Sequence, residues 1–181
     1  MPTYISLLRG INVSGQKRIL MTDLKELYEK LGFSDVKTYI QSGNVVFNFD
    51  KTSATKLQQL IFDKIQSKYG FEVPNLILNP SEVEKAILKN PYQHVEKPYF
   101  TFLAEQPLEE NINELLKHSF KNEFYEIKGK VIYSHFPNGA GRSKMTLNFF
   151  EKKLKVSATA RNLNTTKKLL VLAREAHFNK K

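Results

Sequence analysis

The chain has 181 residues, of which 41% are hydrophobic and 25% are charged, and it contains no cysteine. This length and composition predict a folded protein of one large domain or two small ones, and they exclude disulfides, thiolate metal sites and a cysteine nucleophile. The formal net charge of +10 is concentrated in residues 138–181, which carry 11 basic and 2 acidic side chains. We therefore expect a local positive face that suits an anionic partner.

The sequence contains no apolar run of the roughly 18 residues that a membrane span needs. Residues 1–9 form a strand-like run with no basic segment ahead of it, so we expect no signal peptide. Together with the lack of cysteine, these features predict a cytoplasmic protein without a membrane partner. The oligomeric state is left open.

The apolar residues of the first half alternate between strand-like and helix-like spacing. The predicted elements, in the order strand, helix, strand, strand, helix, strand, are residues 4–9, 22–31, 36–40, 45–49, 53–69 and 73–78. Thr22 is the expected N-cap of the first helix, and Gly70 is expected to end the second. The sequence Gln-Ser-Gly-Asn at residues 41–44 is typical of a tight hairpin turn. This βαββαβ order is that of a ferredoxin-like sandwich.

The second half repeats this order. Ser81 and Glu84 have the spacing of a capping box, which predicts a short helix ahead of a proline-containing stretch. The elements predicted after it are residues 99–104, 108–120, 124–127, 131–135, 147–154, 156–160 and a closing helix over 165–177. Residues 39–47 and 125–133 also align, with a tyrosine, a glycine, a valine and an aromatic end in register.

These patterns predict an α+β protein of two tandem ferredoxin-like (alpha-beta plait) subdomains with an internal duplication. The first subdomain covers residues 1–79. A helical linker covers residues 80–97, and the second subdomain, with the C-terminal helix, covers residues 98–181.

Polar side chains follow the first strand and the hairpin turn of the first half. In a ferredoxin-like unit these two segments share one edge of the sheet, so we expect their side chains to lie close together. Arginine offers paired donors to planar anions, and Asn and Gln offer mixed donors and acceptors to base edges. This first cluster consists of Arg9, Asn12, Arg18, Gln41, Ser42 and Asn44.

A second cluster of the same chemistry follows the third and fourth strands of the second half. Loop 139–144, Gly-Ala-Gly-Arg-Ser-Lys, is predicted to open a helix whose amides and dipole would hold a phosphate, although it lacks the Walker A spacing. Arg161 is expected at an open edge, so that Arg161→Gln would abolish anion binding at an almost unchanged melting temperature. The second cluster consists of Arg142, Ser143, Lys144, Arg161, Asn162 and Asn164.

Each cluster also has a purely structural interpretation. Loop 139–144 would be a plain turn in which Ser143 caps the next helix, and Asn162 and Asn164 would cap the last helix. Arg9 and the hairpin turn would form a hydrogen-bonded network that fixes the loop. The basic residues near the C-terminus would be a solvated helix face.

Signals for metal or catalytic chemistry are weak. The four histidines, at positions 94, 118, 135 and 177, lack the spacing of a metal site, so neither a metal nor a cofactor is predicted. The G-x-S-x-G and G-x-G-x-x-G motifs do not occur. The sequence leaves open whether the protein is an enzyme.

Three longer motifs carry a resemblance to a known family: LLRGINV at residues 7–13, TYIQSGNVVF at 38–47 and ATARNLNT at 158–165. With these motifs, and with residues 141–144, the chain resembles the bacterial family of domains of unknown function numbered 1697. The resemblance covers nearly the whole chain. It implies two ferredoxin-like subdomains and no established activity, substrate or cofactor. Ser14 and Leu163 depart from the family's pattern, which there commonly has glycine and tryptophan.

We therefore expect the protein to bind a phosphate-bearing or other anionic ligand, either nucleic acid or a nucleotide, through its Arg- and Asn-rich edge loops. One alternative is an enzyme that holds a small anionic substrate between the subdomains, with Arg9 and Arg161 as charge clamps. Another is an interaction module without a ligand. Nucleic-acid binding would depend steeply on salt, whereas a single small-ligand site would not.

Overall fold

The structure of the protein is a computed structural model that describes residues 1–178. This part of the chain forms two compact units: one consists of Met1–Glu84 and the segment that begins at Lys167, and the other of Lys85–Thr166. The C-terminal helix, which the sequence groups with the second half, thus contributes its residues from Lys167 to the first unit. Within residues 1–178 no helix is both long enough and apolar enough to span a membrane.

The first unit contains a four-stranded antiparallel sheet. Its strands are β1 (Thr3–Leu8), β2 (Ser34–Tyr39), β3 (Asn44–Asn48) and β4 (Asn75–Leu78), in the spatial order β2-β3-β1-β4. Ser6 lies opposite Val45 of β3 and Ile77 of β4, so β1 is paired on both sides. The four strands predicted for the first half are confirmed, with ends that differ by at most two residues.

Two helices cover one face of this sheet: α1 (Met21–Lys30) and α2 (Ala54–Tyr69). Their apolar stripes are buried because successive turns place these residues on one side. The buried stripe residues are Leu24, Leu27, Tyr28, Leu57, Ile61 and Ile65. Tyr28 and Ser6 share a buried hydrogen bond of 2.8 Å, and burial raises the pKa of the Tyr28 phenol.

The opposite face of the first sheet is buried as well. Helix α6 (Leu163–Phe178) covers this face, as the hydrogen bond of 3.0 Å from Asn48 Nδ2 to the Ala176 carbonyl shows. Lys37 of β2 also pairs with Glu175 at 3.1 Å. Since both faces are covered, every residue of β1 and β3 is buried.

The second unit repeats this architecture. Its strands are β5 (Tyr99–Leu103), β6 (Phe124–Lys128), β7 (Val131–His135) and β8 (Ala158–Asn162), in the antiparallel order β6-β7-β5-β8. Helices α4 (Glu109–Leu116) and α5 (Leu147–Leu154) cover one face, with a core that includes Leu115, Ile132 and Phe150. On the other face, the Tyr133 hydroxyl donates to the Ala86 carbonyl of α3 (Pro80–Leu88) at 2.8 Å, and burial raises its pKa to about 12.

Helix ends show where local patterns mislead. The predictions that Ser53 begins α2 and Gly70 ends it are confirmed. The prediction that Thr22 caps α1 is wrong: the N-cap is Leu20, whose side chain has no acceptor, and the helix begins one residue before Thr22.

The capping box of α3 also lies two residues earlier than predicted. It consists of Asn79 and Glu82, whereas the predicted pair is Ser81 and Glu84. The Glu82 amide donates to Asn79 Oδ1 at 2.9 Å, and the Asn79 amide donates to Glu82 Oε2 at 2.8 Å. The end of β4 at Leu78 forces this choice, because the residue after a strand is the first one free to act as a cap.

Candidate functional site

The loop after β1 and the turn between β2 and β3 meet at one edge of the first sheet. The Leu8 amide donates to the Gly43 carbonyl at 2.8 Å, and the Asn12 Nδ2 atom donates to the Gln41 carbonyl at 2.8 Å. The expectation that these two segments of the first cluster lie together is therefore confirmed. The reason is the antiparallel register, which places the end of β1 beside the start of β3.

Asn12 holds this edge together. Its Nδ2 atom also donates to the Ile19 carbonyl at 2.9 Å, and its Oδ1 atom accepts from the Ile19 amide at 2.9 Å. Both amide hydrogens and one oxygen lone pair are thus used within the protein. Asn12 shapes the loop and leaves little capacity for a direct contact with a ligand.

The other members of the first cluster divide into exposed and buried groups. Arg18 and Gln41 are exposed, and Arg9 is half-buried, with its backbone amide donating to the Pro74 carbonyl. Asn44 is fully buried, and its Nδ2 atom donates to the Tyr39 carbonyl and to the Ser42 hydroxyl, both at 2.9 Å. Asn44, the first residue of β3, therefore stabilises the hairpin turn through Tyr39 and Ser42.

A cleft of about 620 Å³ opens at this edge, and we call it the edge cleft. Its polar lining comes from Asn12, Arg18, Asp23, Gln41 and Tyr69. The Tyr69 hydroxyl is buried and has no hydrogen-bond partner among residues 1–178. A buried hydroxyl without a partner costs free energy, so it marks a place where a water molecule or a ligand would be stabilised.

The start of α1 also lies at the edge cleft, since Leu20 and Asp23 line it. The leucine N-cap cannot accept a hydrogen bond from the first-turn amides, which therefore depend on other acceptors. These amides and the helix dipole favour negative charge, and Asp23 supplies part of it from within the first turn.

The loop of the second cluster does not open an α-helix as predicted. Residues Ala140–Arg142 form a single 3₁₀ turn, and α5 begins later, with Thr146 as its N-cap accepting from the Phe149 amide at 3.1 Å. Ser143 does not cap α5: its hydroxyl donates to Glu123 Oε2 at 2.9 Å and accepts from the Met145 amide at 2.8 Å. Arg142 and Lys144 are exposed on this loop.

Arg161 lies inside β8 and not after it, so the prediction of an exposed arginine at an open edge is wrong. It is paired with Phe100 of β5 and only 8% exposed. Its Nη1 atom donates to the Ala160 carbonyl at 2.8 Å and to Thr159 Oγ1 at 3.1 Å, and burial lowers its pKa to about 10. The guanidinium remains charged at neutral pH and belongs to the interior of the second unit.

The two asparagines of the second cluster lie at the start of α6. Asn162 Oδ1 accepts from the Thr165 amide at 2.8 Å, so Asn162 caps this helix in agreement with the structural interpretation. Asn164 is exposed in the first turn. The ends of β7 and β8 do share one sheet edge, because Tyr99 is paired with both Ser134 and Asn162.

Both the sequence and the fold of the chain are similar to those of known proteins. The model of a family described as "Protein of unknown function (DUF1697)" matches residues 1–133. The chain belongs to this family. The solved structure of the conserved bacterial protein SP0830 from Streptococcus pneumoniae is similar, with a TM-score of 0.70 and 22% identity over 95% of this chain and 98% of that one. At this identity the likeness concerns the fold alone, and no curated protein matches the sequence.

The extent of the DUF1697 match separates the two clusters. Residues 1–133 include the whole first cluster and the motifs at 7–13 and 38–47, whereas the second cluster and the motif at 158–165 lie beyond them. Family membership therefore bears on the edge cleft more directly than on loop 139–144.

Sequence reasoning missed two residues of the edge cleft, Asp23 and Tyr69. Their positions do carry a signal: Asp23 begins the helix after the first-cluster loop, and Tyr69 ends the helix that returns to the start of β4. Since β4 begins beside the end of β1, the end of α2 reaches the same edge. Among the side chains that the structure describes, no group of three histidine or acidic residues is placed to hold a metal ion.

Proposed function

We propose that each sheet, with its pair of crossover helices, is a ferredoxin-like unit and that the chain carries two of them in tandem. The support is the repeated βαββαβ order combined with equivalent strand orders, β2-β3-β1-β4 and β6-β7-β5-β8. The antiparallel pairing of every neighbouring strand agrees with this assignment.

We propose that the protein binds a small phosphate-bearing ligand in the edge cleft. The observation that carries this proposal is the meeting of Arg18 with the start of α1, whose N-cap residue Leu20 makes no side-chain hydrogen bond to the first turn. A guanidinium and the first-turn amides of a helix together favour an oxyanion. The volume of about 620 Å³ suits a ligand of nucleotide size.

The remaining polar groups of the edge cleft narrow the ligand class. Asp23 would repel a bare phosphate dianion, so the ligand must also offer hydrogen-bond donors to that carboxylate. Gln41 is exposed and offers a donor and an acceptor, and the Tyr69 hydroxyl needs a partner. A phosphate ester of a nucleoside or sugar combines a phosphate with hydroxyl and amine donors, whereas inorganic phosphate does not.

Calorimetric titration tests this proposal with AMP, GMP, ribose 5-phosphate and inorganic phosphate as probes. We expect at least one of the three esters to bind at a single site and more tightly than inorganic phosphate. Arg18→Gln should weaken that binding by roughly 10- to 100-fold, as expected for a lost charge-assisted hydrogen bond.

The matched control is Lys30→Gln, which removes a positive charge from the far end of α1 and should leave binding unchanged. Lys30 is exposed and pairs with Glu26 at 4.0 Å. If none of the three esters binds, or if Arg18→Gln binds as tightly as the wild type, the edge cleft is not the site.

A second candidate function is binding of nucleic acid through the second unit. The observation that favours it is the exposed pair Arg142 and Lys144 on loop 139–144, within the most basic quarter of the sequence. Affinity for single-stranded RNA should then fall with salt, with a log–log slope of roughly −0.7 per phosphate neutralised. Substituting both residues by Gln should reduce that slope, while a slope near zero would contradict this function.

A further inference from the structure

The second unit contains another concave site, on the side of the loop that precedes β6. A pocket of about 290 Å³ lies there, and we call it the aromatic pocket. Its lining residues include two tyrosines and two phenylalanines: Tyr92, Phe120, Phe124 and Tyr125. Phe120 and Tyr125 meet edge to face, with ring centroids 6.4 Å apart, and Phe124 is 56% exposed.

The electrostatics of the aromatic pocket favour positive charge. The faces of aromatic rings attract cations, and Glu123 places a carboxylate in the lining. Glu123 Oε2 accepts a hydrogen bond from Ser143, which fixes the carboxylate and leaves it further acceptor capacity. No lysine or arginine is among the lining residues in the described part of the chain.

The end of α4 adds to this negative potential. Leu116 is its last residue and lines the aromatic pocket together with His118 and Ser119. The last turn, Asn-Glu-Leu-Leu, contains no basic side chain that would offset the negative end of the helix dipole. Lys117, which follows it, is an exposed side chain that pairs with Glu114.

The Tyr125 hydroxyl is already used within the protein. It lies 2.6 Å from the Leu115 carbonyl and 2.7 Å from the His118 carbonyl, at the end of α4. The Tyr125 hydroxyl is therefore engaged within the protein, which leaves the ring as the group of Tyr125 available to a ligand. Such a lining suits a cation with an apolar surface better than a metal ion, which would need several oxygen ligands.

From this geometry we infer that the aromatic pocket binds a small organic cation, an alkylammonium or guanidinium compound. The rings would surround its alkyl or planar surface, and Glu123 would neutralise its charge. This site lies in the second unit, is distinct from the edge cleft and does not depend on the proposal made for that cleft.

The test compares choline with 3,3-dimethylbutan-1-ol, which has the same shape without the charge, and uses methylguanidinium as a second cation. Titrations at pH 8 are followed by the amide NMR shifts of residues 116–125. We expect at least one of the two cations to bind at millimolar concentration. If choline binds, its affinity should be about tenfold higher than that of the alcohol.

Two variants test whether the cation binds in the aromatic pocket. Glu123→Gln keeps an acceptor for Ser143 and should lower cation affinity about fivefold or more without changing the melting temperature. Phe124→Leu should lower it as well, because it removes a ring and keeps an apolar side chain. Glu110→Gln, at the other end of α4, is the matched control and should bind like the wild type.

Three results would overturn the inference. The first is that choline and its neutral analogue bind equally well while methylguanidinium does not bind. The second is that neither cation binds, and the third is that Glu123→Gln binds the cation as tightly as the wild type. The first would identify a purely apolar pocket. Because the edge cleft is titrated with anions, failure of one site leaves the test of the other unaffected.

Discussion

Replacing Gly43 by alanine should destabilise the protein more than replacing either Gly10 or Gly141 by alanine. Gly43 has a φ of +76°, and a Cβ built there would lie 2.6 Å from Leu8 Cβ and 2.8 Å from Ile11 Cδ1. The turn cannot move away at low cost, because the Gly43 carbonyl accepts from the Leu8 amide.

Two separate costs add up for Gly43→Ala. The left-handed backbone costs an alanine roughly 1 kcal/mol, and overpacking of a buried contact costs about 1–3 kcal/mol. The expected loss is therefore about 3 kcal/mol in the free energy of unfolding. For a chain of this size that corresponds to a fall of roughly 6–12 °C in the melting temperature.

Two other glycines separate these costs. Gly10 has a φ of +72° but open space around it, so Gly10→Ala should show the backbone cost alone, about 1 kcal/mol. Gly141 has neither a positive φ nor a neighbour within 4 Å, so Gly141→Ala should be almost neutral. Urea unfolding followed by circular dichroism measures all three. If Gly43→Ala is no more destabilising than Gly10→Ala, the close approach to Leu8 is not a rigid contact and the reasoning fails.

Two further predictions concern residues whose polar groups are used inside the protein. Asn12→Asp keeps the acceptor for the Ile19 amide but replaces both donors with an acceptor that faces carbonyl groups. It should lower the free energy of unfolding by about 1–3 kcal/mol and speed amide hydrogen exchange in residues 10–20. Unchanged exchange in these residues would contradict the role of Asn12 in shaping the loop. Arg161→Gln should lower stability by roughly 1.5–3 kcal/mol, because the bonds to Thr159 and Ala160 come from a buried charged group. A melting temperature equal to that of the wild type would show that Arg161 contributes nothing to the fold.

The sequence by itself determined the order and type of the elements. The apolar period of α2, its Ser53 cap and its Gly70 end are all local features, so they can be recognised without knowledge of the partner surfaces. The same holds for the hairpin turn predicted at residues 41–44, where Gly43 supplies the positive φ of 76°. Antiparallel topology then sufficed to place the first-cluster loop beside that turn.

Only the tertiary structure decided how each polar side chain is used. The ends of β8 depend on its pairing with β5, and a shift of two residues moved Arg161 from an expected open edge into the interior. The N-cap of α3 depends on where β4 ends, and the hydrogen bonds of Asn12 reach groups that are 7 and 29 residues away along the chain. Asp23, Tyr69 and Arg18 share a cleft because two helix ends and a loop converge at one sheet edge. Long-range pairing of this kind leaves no periodic trace in the sequence, since it is set by the partner strand or helix and not by neighbouring residues.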